Sequence, residues 1–281
     1  MENDVSKTIE KPAKPRYDVK KIALPSGVQL EYAQQGPGSG TPVIFLHGYT
    51  DSWQSFNQVL PLLPDLIQAY AISQLGHGGS DRPQKGYDPG SFALDIAEFM
   101  QKLRIETAII VGHSMGATVA QRFALDHPTK TKALVLIASF ASFKTNPGVA
   151  ELQTVIENIQ DPIDSSFVYE FQKGTSFKEL EASTLQTYVN ESLKVPAHVW
   201  KEAARQSLTV DFTQELKQVF APTLIIWGDK DSYCPEADQH ILNKAIKRST
   251  LLKYHDVGHA AHWEVPQRVT NDLLQFIQTL K

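Results

Sequence analysis

The 281-residue sequence predicts an α/β fold, with a mostly parallel central sheet flanked by helices and an inserted helical cap. The first observation is a series of short, continuous apolar runs, which are typical of strands buried on both faces of a parallel sheet. The second is that amphipathic segments with helical spacing lie between these runs. The third is that the stretch between 138 and 223 has no clear buried strand, while its apolar residues keep helical spacing.

Strand-like and helix-like segments alternate along the chain, and glycine-rich loops at 36–40 and 76–80 separate several of them. The helix at 91–103 is the clearest, because Phe92, Ile96 and Phe99 recur at spacings of three and four. Strands are predicted at 28–34, 42–46, 67–72, 107–111, 133–138, 223–227 and 251–254. Helices are predicted at 55–63, 91–103, 115–125 and 269–280.

The chain divides into three predicted parts. Residues 1–20 are charged and contain prolines, so we expect a flexible tail or an additional leading strand. Residues 21–140 and 211–281 would form the α/β core, and 141–210 a helical cap over one edge of the sheet. Because this cap is rich in Phe and Tyr, it predicts an apolar roof over the substrate. The aromatic residues expected to contact the substrate are Phe140, Phe143 and Tyr233.

Composition excludes several classes of partner. A net charge of −4 without any basic block gives no electrostatic footprint for nucleic acid. No apolar run is long enough to span a membrane, so we expect no membrane insertion. The single cysteine, Cys234, cannot form an intrachain disulfide, which favours a reducing compartment and predicts a cytoplasmic protein. The oligomeric state is left open.

Residues 109–116 form an apolar run that ends in the pattern G-x-S-x-G and leads directly into a helical pattern. Gly112 and Gly116 on either side of Ser114 permit a sharp strand-to-helix turn, because glycine tolerates crowding and positive φ. Such a turn exposes the Ser114 hydroxyl and directs the first N–H groups of the helix towards the group that it attacks. Ser114 is therefore the candidate nucleophile.

A serine nucleophile needs a histidine base, and the chain contains nine histidines. His259 follows the last predicted strand, at the edge where open parallel sheets place their ligand sites. His262, three residues later, is its rival. His113 precedes the serine on the turn, so its side chain should point away from the serine hydroxyl. His47 and His77 lie in glycine-containing loops and are expected to border the site without acting as the base.

Two aspartates compete to be the acid that orients this histidine. Asp229 and Asp231 both follow the strand at 223–227, Asp229 directly after a glycine and Asp231 farther into the loop. Isolated aspartates in such loops are commonly turn formers. Local spacing alone therefore leaves the two equally suitable.

Four motifs in this order resemble the α/β-hydrolase fold family, in the branch that carries a helical cap. His47-Gly48-Tyr49 is similar to the family's oxyanion loop, and residues 112–116 are similar to its nucleophile turn. The resemblance covers nearly the whole chain beyond residue 20. Four motifs with the right order and spacing are far more specific than any one of them.

The other two motifs resolve the acid and the base. The pattern W-G-x-x-D-x-x-x-P at 227–235 resembles the family's acid loop and selects Asp231. The pattern G-H-x-x-x-x-E-x-P at 258–266 resembles its histidine loop and selects His259. The resemblance therefore implies a catalytic triad composed of Ser114, Asp231 and His259.

The resemblance implies acyl transfer to water. Ser114 would attack a carbonyl carbon while His259 takes its proton, and Asp231 would hold the imidazole. Backbone N–H groups of Tyr49 and Met115 would receive the oxyanion. This chemistry needs no metal or organic cofactor.

The predicted substrate is a small to medium, largely apolar carboxylic ester, with lactones close behind. A carbon–carbon bond hydrolase or a cofactor-free perhydrolase would use the same triad, so the triad cannot separate these reactions. A protein of another class, a hydrolase-like ligand receptor that turns over slowly, is also compatible with these residues.

Two positions distinguish this chain from relatives. Ser73 stands where many family members have an aspartate, in the stretch 73–80, which puts the hydrogen bonding of that loop in question. Haloalkane dehalogenases and epoxide hydrolases of the same scaffold use an aspartate nucleophile. Ser114 therefore argues against both reactions.

Overall fold

A computed structural model describes residues 17–144 and 147–280, without the side chains of 147–149. Its strands form one sheet of eight. They are β1 (Asp18–Ala23), β2 (Gln29–Gln35), β3 (Thr41–Leu46), β4 (Ile67–Ser73), β5 (Ala108–His113), β6 (Thr131–Ile137), β7 (Thr223–Gly228) and β8 (Ser249–Tyr254). Their order across the sheet is β1-β2-β4-β3-β5-β6-β7-β8.

The sheet is mostly parallel, as the sequence predicts. From β4 to β8 every neighbouring pair is parallel, whereas β1 pairs antiparallel with β2 and β2 antiparallel with β4. Every residue of β4, β5 and β7 is buried, because helices cover both faces of the sheet. This double burial explains why the corresponding apolar runs are continuous.

The edge strand β1 corrects the predicted extent of the tail. Residues 18–20 pair with β2, where Asp18 lies opposite Gln34 and Lys20 opposite Tyr32. The strand is largely exposed, and its apolar residues Val19, Ile22 and Ala23 do not alternate with polar ones, so the sequence shows no clear strand pattern there. The remainder of the predicted tail, 1–16, lies outside the described residues.

Helices cover both faces of the sheet. Phe92 and Phe99 of the first helix and Phe123 of the second belong to the core on one face. Val269 and Leu273 of the last helix belong to the core on the other face. The helices are α1 (Pro89–Lys102), α2 (Met115–Asp126), α3 (Pro147–Ile156), α4 (Ser165–Gly174), α5 (Ala182–Leu193), α6 (Ala197–Thr209), α7 (Glu236–Ala245), α8 (Ala261–Glu264) and α9 (Pro266–Thr279).

The helix predicted at 55–63 is replaced by two short 3₁₀ turns, Trp53–Phe56 and Leu60–Leu62. Pro61 lies in the middle of the predicted segment and has no N–H for an α-helical hydrogen bond. The Ser52 hydroxyl instead accepts a hydrogen bond from the N–H of Gln54 at 3.1 Å and starts the first turn. Helices α7 and α8 were not predicted, because α7 buries only a narrow face and α8 is a single turn.

Four helices, α3 to α6, lie between β6 and β7. An isolated antiparallel bridge between Ser142 and Asp211 closes the base of this segment. The division into a core and a cap at 141–210 stays a prediction, because the helices alone do not define domain boundaries. In the described part of the chain, no helix combines the length and apolar character needed to cross a membrane.

Candidate active site

Ser114 lies on the turn between β5 and α2, with a φ of 51°. Its N–H donates to the carbonyl of Ile137 at 3.0 Å, so the turn continues the hydrogen bonding of the sheet. Its side chain makes no capping hydrogen bond to α2. A Cβ on Gly116 would lie 2.2 Å from the carbonyl oxygen of Leu46, and one on Gly112 would lie 2.3 Å from that of Gly116. Glycine is therefore required at both positions for α2 to pack this close to the sheet.

His259 and Asp231 form a buried pair. Nδ1 of His259 lies 3.0 Å from each carboxylate oxygen of Asp231, and the two side chains are 6% and 0% exposed. Oδ1 of Asp231 also accepts the backbone N–H groups of Tyr233 at 2.8 Å and Cys234 at 2.9 Å. Three donors thus converge on one carboxylate, which fixes its orientation and keeps the proton of the imidazole on Nδ1.

Asp229 has a different environment. Its carboxylate accepts the backbone N–H of Asp256 at 2.8 Å and lies 2.9 Å from Nδ1 of His255, whose side chain is 75% exposed. These bonds hold the pKa of Asp229 below its usual value, although burial opposes the shift. Of the two aspartates left open by local spacing, only Asp231 contacts His259.

The rival histidine is buried away from the cavity surface. Nε2 of His262 lies 2.9 Å from the hydroxyl of Ser55, and burial lowers its pKa to about 3. Nε2 of His113 lies 3.2 Å from the carbonyl oxygen of His259. The pKa of His113 is well below the usual value because the ring is buried and lies near His262 and His259. Both rings are therefore neutral at physiological pH.

The two histidines of the glycine-containing loops, His47 and His77, form hydrogen bonds with backbone groups. Nε2 of His47 accepts the N–H of Gln74 at 2.9 Å, and Nδ1 of His47 donates to the carbonyl of Gly48 at 2.8 Å. Nδ1 of His77 donates to the carbonyl of Leu75 at 2.8 Å. Neither ring lines the cavity.

Tyr49 and Met115, the predicted oxyanion donors, both line the cavity that contains Ser114 and His259. Met115 is the first residue of α2, and the first N–H groups of a helix have no acceptor within the helix. The hydroxyl of Tyr49 donates to the carbonyl of Trp200 in α6 at 2.6 Å. That bond holds the loop after β3 against the inserted helices.

The cavity has a volume of about 740 Å³, counting its open mouth, and its walls are mainly apolar. Phe143 and Tyr233, two of the three residues predicted to contact the substrate, line it. Phe140 does not: it is fully buried and stacks against Phe143 from behind. Helices α3, α4 and α6 add further apolar side chains to the wall, namely Leu152, Ile156, Phe171, Ala204 and Leu208.

The cavity also contains polar residues that were not predicted, among them Asp51 and Gln172. Asp51 lies two residues beyond Tyr49, and its Oδ1 accepts a hydrogen bond from Nε2 of Gln172 at 3.0 Å. Burial raises the pKa of Asp51 to about 7. The position of Asp51 just after the predicted oxyanion loop was a usable signal, whereas nothing in the pattern of α4 distinguished Gln172.

The loop after β4 keeps a carboxylate although Ser73 replaces the usual aspartate. Glu31 on β2 supplies it: Oε2 accepts the hydroxyl of Ser73 at 3.1 Å and the N–H of Gly79 at 2.9 Å. Its own N–H donates to the hydroxyl of Ser80 at 2.8 Å. The doubt about hydrogen bonding in this loop is resolved by a residue from the neighbouring strand.

One group of described residues brings metal-ligand atoms together, namely Asp231, Cys234 and His259, within 4.8 Å of one another. The thiol of Cys234 donates to the carbonyl of Ala138 at 3.3 Å, and burial raises its pKa well above the usual value. A protonated thiol is a poor metal ligand. The donor set therefore suits the hydrogen-bonded Asp231–His259 pair better than a cation.

This fold and the strand-to-helix turn define a class of protein. Residues 41–266 match the α/β-hydrolase fold family, and the chain belongs to that family. It is an α/β hydrolase with esterase, lipase and haloperoxidase relatives at low identity.

Similar proteins cover nearly all of the chain. The AB hydrolase superfamily protein YisY of Bacillus subtilis is 27% identical over 85% of this chain and 92% of that protein. A non-heme chloroperoxidase of Streptomyces lividans is 26% identical, with 92% and 99% covered. The structure of an esterase from Exiguobacterium antarcticum superposes with a TM-score of 0.82 at 24% identity, with 92% and 99% covered.

Proposed function

We propose that this protein is a serine hydrolase that cleaves a small to medium, largely apolar carboxylic ester or lactone through an acyl-enzyme. The observation that carries the proposal is the buried hydrogen bond from His259 to Asp231, with His259 and Ser114 lining the same cavity. Because Asp231 occupies Nδ1, the free Nε2 of His259 is the atom that can accept the proton of Ser114.

In the proposed reaction, Oγ of Ser114 attacks the carbonyl carbon while its proton passes to Nε2 of His259. The tetrahedral intermediate collapses as His259 gives that proton to the leaving alcohol, and the acyl group stays on Ser114. Water then attacks the acyl-enzyme, again losing a proton to His259, and the acid is released with Oγ protonated. In the lactone case the leaving alcohol is part of the same product.

The oxyanion would accept hydrogen bonds from the backbone N–H groups of Met115 and Tyr49. Each such donor typically lowers the barrier by about 3 kcal/mol, because it is oriented before the negative charge develops. The start of α2 contributes further through the positive end of its dipole.

We propose that α3 to α6 act as the cap and determine which acyl groups enter. The apolar side chains that they contribute to the cavity favour a hydrocarbon acyl or aryl group over a charged one. Phe143 and Tyr233 would contact this group, and Phe140 would support Phe143.

The test is hydrolysis of p-nitrophenyl esters with acyl chains of two to eight carbons, together with lactones. We expect steady-state turnover by the wild type and none by Ser114→Ala, with the exposed Ser183→Ala as a matched control. An alkyl fluorophosphonate should add covalently to Ser114, as located by mass spectrometry. A single burst of product without turnover would instead indicate a ligand receptor, and an adduct on another residue would contradict the proposed nucleophile.

Perhydrolysis is the second candidate, and the similarity to the Streptomyces lividans chloroperoxidase favours it. Hydrogen peroxide would replace water in the second step and release a peracid. Bromide oxidation in the presence of acetate and peroxide measures it, and a β-diketone panel measures carbon–carbon bond hydrolysis. We expect ester hydrolysis to exceed both, and the reverse order would change the assignment.

A further inference from the structure

The carboxylate of Asp51 is buried in the cavity wall, and the proposed acyl transfer does not use it directly. The residue is 4% exposed and lines the cavity together with Ser114 and His259. Among the described residues that line this cavity there is no lysine or arginine to neutralise it. A buried carboxylate without a cationic partner is costly, which favours a functional reason for its presence.

Neutral donors from two different parts of the fold converge on this carboxylate. Oδ1 of Asp51 accepts a hydrogen bond from Nε2 of Gln172, in α4, at 3.0 Å. Oδ2 accepts from the hydroxyl of Ser55 at 3.3 Å, and that hydroxyl accepts from Nε1 of Trp263 at 3.0 Å. Trp263 lies in α8, four residues after His259. Asp51 therefore connects an inserted helix with the segment that carries the candidate base.

Asp51 also packs against the loop that carries Tyr49. Its N–H donates to the carbonyl of Gly48 at 3.3 Å, and a Cβ built on Gly48 would lie 3.2 Å from Oδ2 of Asp51. Tyr49, whose N–H is a proposed oxyanion donor, lies between these two residues in the chain. Because a displacement of about 1 Å at a reacting site can cost about 10²-fold in rate, the position of this loop matters for the proposed reaction.

The surroundings of Asp51 suit its ionised form. Each carboxylate oxygen accepts from a donor, and hydrogen bonds to an ionised acceptor are about twice as strong as neutral ones. A carboxyl proton would displace Gln172 or reverse the hydroxyl of Ser55, and it would weaken the remaining bonds. Burial raises the pKa of Asp51 to about 7, although the hydrogen bonds from Gln172 and Ser55 oppose the shift. The carboxylate therefore changes its charge close to neutral pH.

The charge of Asp51 also acts on His259. Among the described residues, the titratable groups around the carboxylate are His113, Tyr188, His259 and His262. Burial lowers the pKa of both His113 and His262 and raises that of Tyr188, so these three groups stay neutral. His259 is the one that gains a proton in the proposed reaction, and a nearby negative charge favours its imidazolium.

We propose that Asp51 is a positioning residue of the proposed hydrolysis, which in its ionised form holds the loop of Tyr49 against α4 and the segment of His259. The inference rests on the proposed function and adds to it an acid that does not touch the reacting atoms. Protonation of Asp51 loosens this loop and removes the negative charge near His259. Activity should therefore depend on the ionised form and decline as the pH falls through about 7.

The experiment compares kcat/KM for p-nitrophenyl butyrate in the wild type and Asp51→Asn at pH 8.5 and pH 5.5. Asparagine is a neutral isostere of the protonated acid, so the variant represents that form at both pH values. We expect the wild type to exceed the variant about tenfold or more at pH 8.5, and the two to agree within about threefold at pH 5.5. The ratio removes the titration of His259, which both proteins share. A ratio that is the same at both pH values, whether one or tenfold, overturns the proposal.

Asp95→Asn is the matched control. Asp95 in α1 is also buried, and burial together with Glu98 and Asp88 raises its pKa to about 7, but it does not line the cavity. The wild type and Asp95→Asn should have equal kcat/KM at both pH values. The same pH-dependent loss in Asp95→Asn and Asp51→Asn would show that any buried carboxylate acts through the fold, and would overturn the proposal.

Gln172→Met takes the place of Asp51→Asn if that variant does not fold. It removes the donor on α4 and keeps the length of the side chain. We expect a loss of about threefold or more in kcat/KM at pH 8.5 and less than about twofold at pH 5.5, where Asp51 is already protonated. An unchanged kcat/KM at pH 8.5 would contradict the proposed link between α4 and the loop of Tyr49.

Failure of the proposed function gives a different result. If the wild type hydrolyses none of the esters and lactones, hydrolysis is refuted, and hydrogen exchange of the amides of 47–51 tests the positioning role instead. Wild type and Asp51→Asn are compared at the same pH, so that intrinsic exchange rates cancel. Faster exchange in the variant at pH 8.5, with no difference at pH 5.5, supports the role of the ionised carboxylate. Equal exchange at both pH values overturns it.

Discussion

Asp229 and Asp231 lie two residues apart in one loop, yet they contact different histidines. The side chain of Asp231 is fully buried against His259, whereas that of Asp229 is 15% exposed and contacts the exposed His255. The N–H groups of Tyr233 and Cys234 turn the chain around Asp231 and direct its carboxylate inwards. Burial strengthens an oriented hydrogen bond to an imidazolium, because water does not compete for it.

This difference predicts that matched substitutions of the two aspartates affect kcat to very different extents. Asp231→Asn should lower kcat for p-nitrophenyl butyrate by about 10³- to 10⁴-fold, because an amide no longer holds His259 in the required tautomer. Asp229→Asn should change kcat less than about threefold. Steady-state kinetics on both variants measures the ranking, and the reverse ranking would refute Asp231 as the acid.

His262 makes the stability of the fold depend on pH. Burial lowers its pKa to about 3 in the folded protein, against an ordinary value near 6.5 in the unfolded chain. As the pH falls below about 6.5, the unfolded chain therefore binds a proton that the folded protein does not, and stability is lost. The effect amounts to about 2 kcal/mol at pH 5.

Urea unfolding of the wild type and of His262→Gln at pH 7.5 and pH 5 tests this. We expect the free energy of unfolding of the wild type to fall by about 2 kcal/mol more than that of the variant over this interval. His240→Gln, at a side chain that is 65% exposed, should follow the wild type. Parallel losses in the wild type and His262→Gln would contradict the prediction.

At the scale of elements, the loop after β4 shows how one strand can compensate for a change in another. Glu31 on β2 provides the acceptor for Ser73 and Gly79 that an aspartate after β4 provides in many relatives. The antiparallel pairing of β2 with β4 places Glu31 opposite Ser73. The absence of an aspartate at position 73 is visible in the sequence. Glu31, which replaces it, is 42 positions away and becomes adjacent to Ser73 only in the sheet.

The turn between β5 and α2 depends on glycine because two backbones meet there. Gly116→Ala would bring a methyl group to 2.2 Å from the carbonyl oxygen of Leu46. We expect it to lower the free energy of unfolding by about 2–3 kcal/mol, since strand β3 cannot move aside without disturbing the sheet. Chemical denaturation measures the loss.

Gly90→Ala is the matched control, because Gly90 lies in the first turn of α1 and its added Cβ would approach only the Asp88 side chain, at 3.0 Å. It should change the free energy of unfolding by less than about 1 kcal/mol. Equal effects of the two substitutions would show that the close approach of α2 to β3 is not what selects glycine.

At the scale of the whole molecule, the loop after β3 joins the sheet to the inserted helices. Tyr49 donates to the carbonyl of Trp200 in α6, and Thr50 and Ser192 of α5 exchange hydrogen bonds through their hydroxyls and the Thr50 carbonyl. Asp51 accepts from Gln172 in α4. Three consecutive residues thus connect the proposed oxyanion loop to three of the inserted helices.

Removal of one of these contacts should loosen the inserted helices. Tyr49→Phe deletes only the hydroxyl and keeps the ring packed against Phe171 and Trp200. We expect a loss of about 1 kcal/mol in the free energy of unfolding and faster limited proteolysis within 147–209. Tyr169→Phe, at an exposed ring in α4, should change neither measurement, and unchanged proteolysis of Tyr49→Phe would contradict a role for this bond.

Parts of the molecule that are formed by residues close together in the sequence were predicted best, and parts that depend on distant residues were predicted worst. The buried strands and the turn at Ser114 were readable because continuous apolar runs and paired glycines are local signals. The segment 55–63 was assigned wrongly because apolar spacing outweighed Pro61. The start of the chain was left between a flexible tail and an additional leading strand, because an exposed edge strand such as β1 buries little. Phe140 was predicted to contact the substrate, but it is fully buried and does not line the cavity. Phe143, three residues later, lies in the cavity wall instead.

By itself, the sequence determined the parallel sheet, the four motifs and the identity of the candidate nucleophile, since each depends on residues close together in the chain. The contact of Asp231 with His259, the replacement of an absent aspartate by Glu31, and the hydrogen bond between Asp51 and Gln172 became visible only in the folded structure. These relations join residues from separate strands, loops and helices. Their distances depend on how the sheet and the inserted helices pack, and packing is a property of the whole chain.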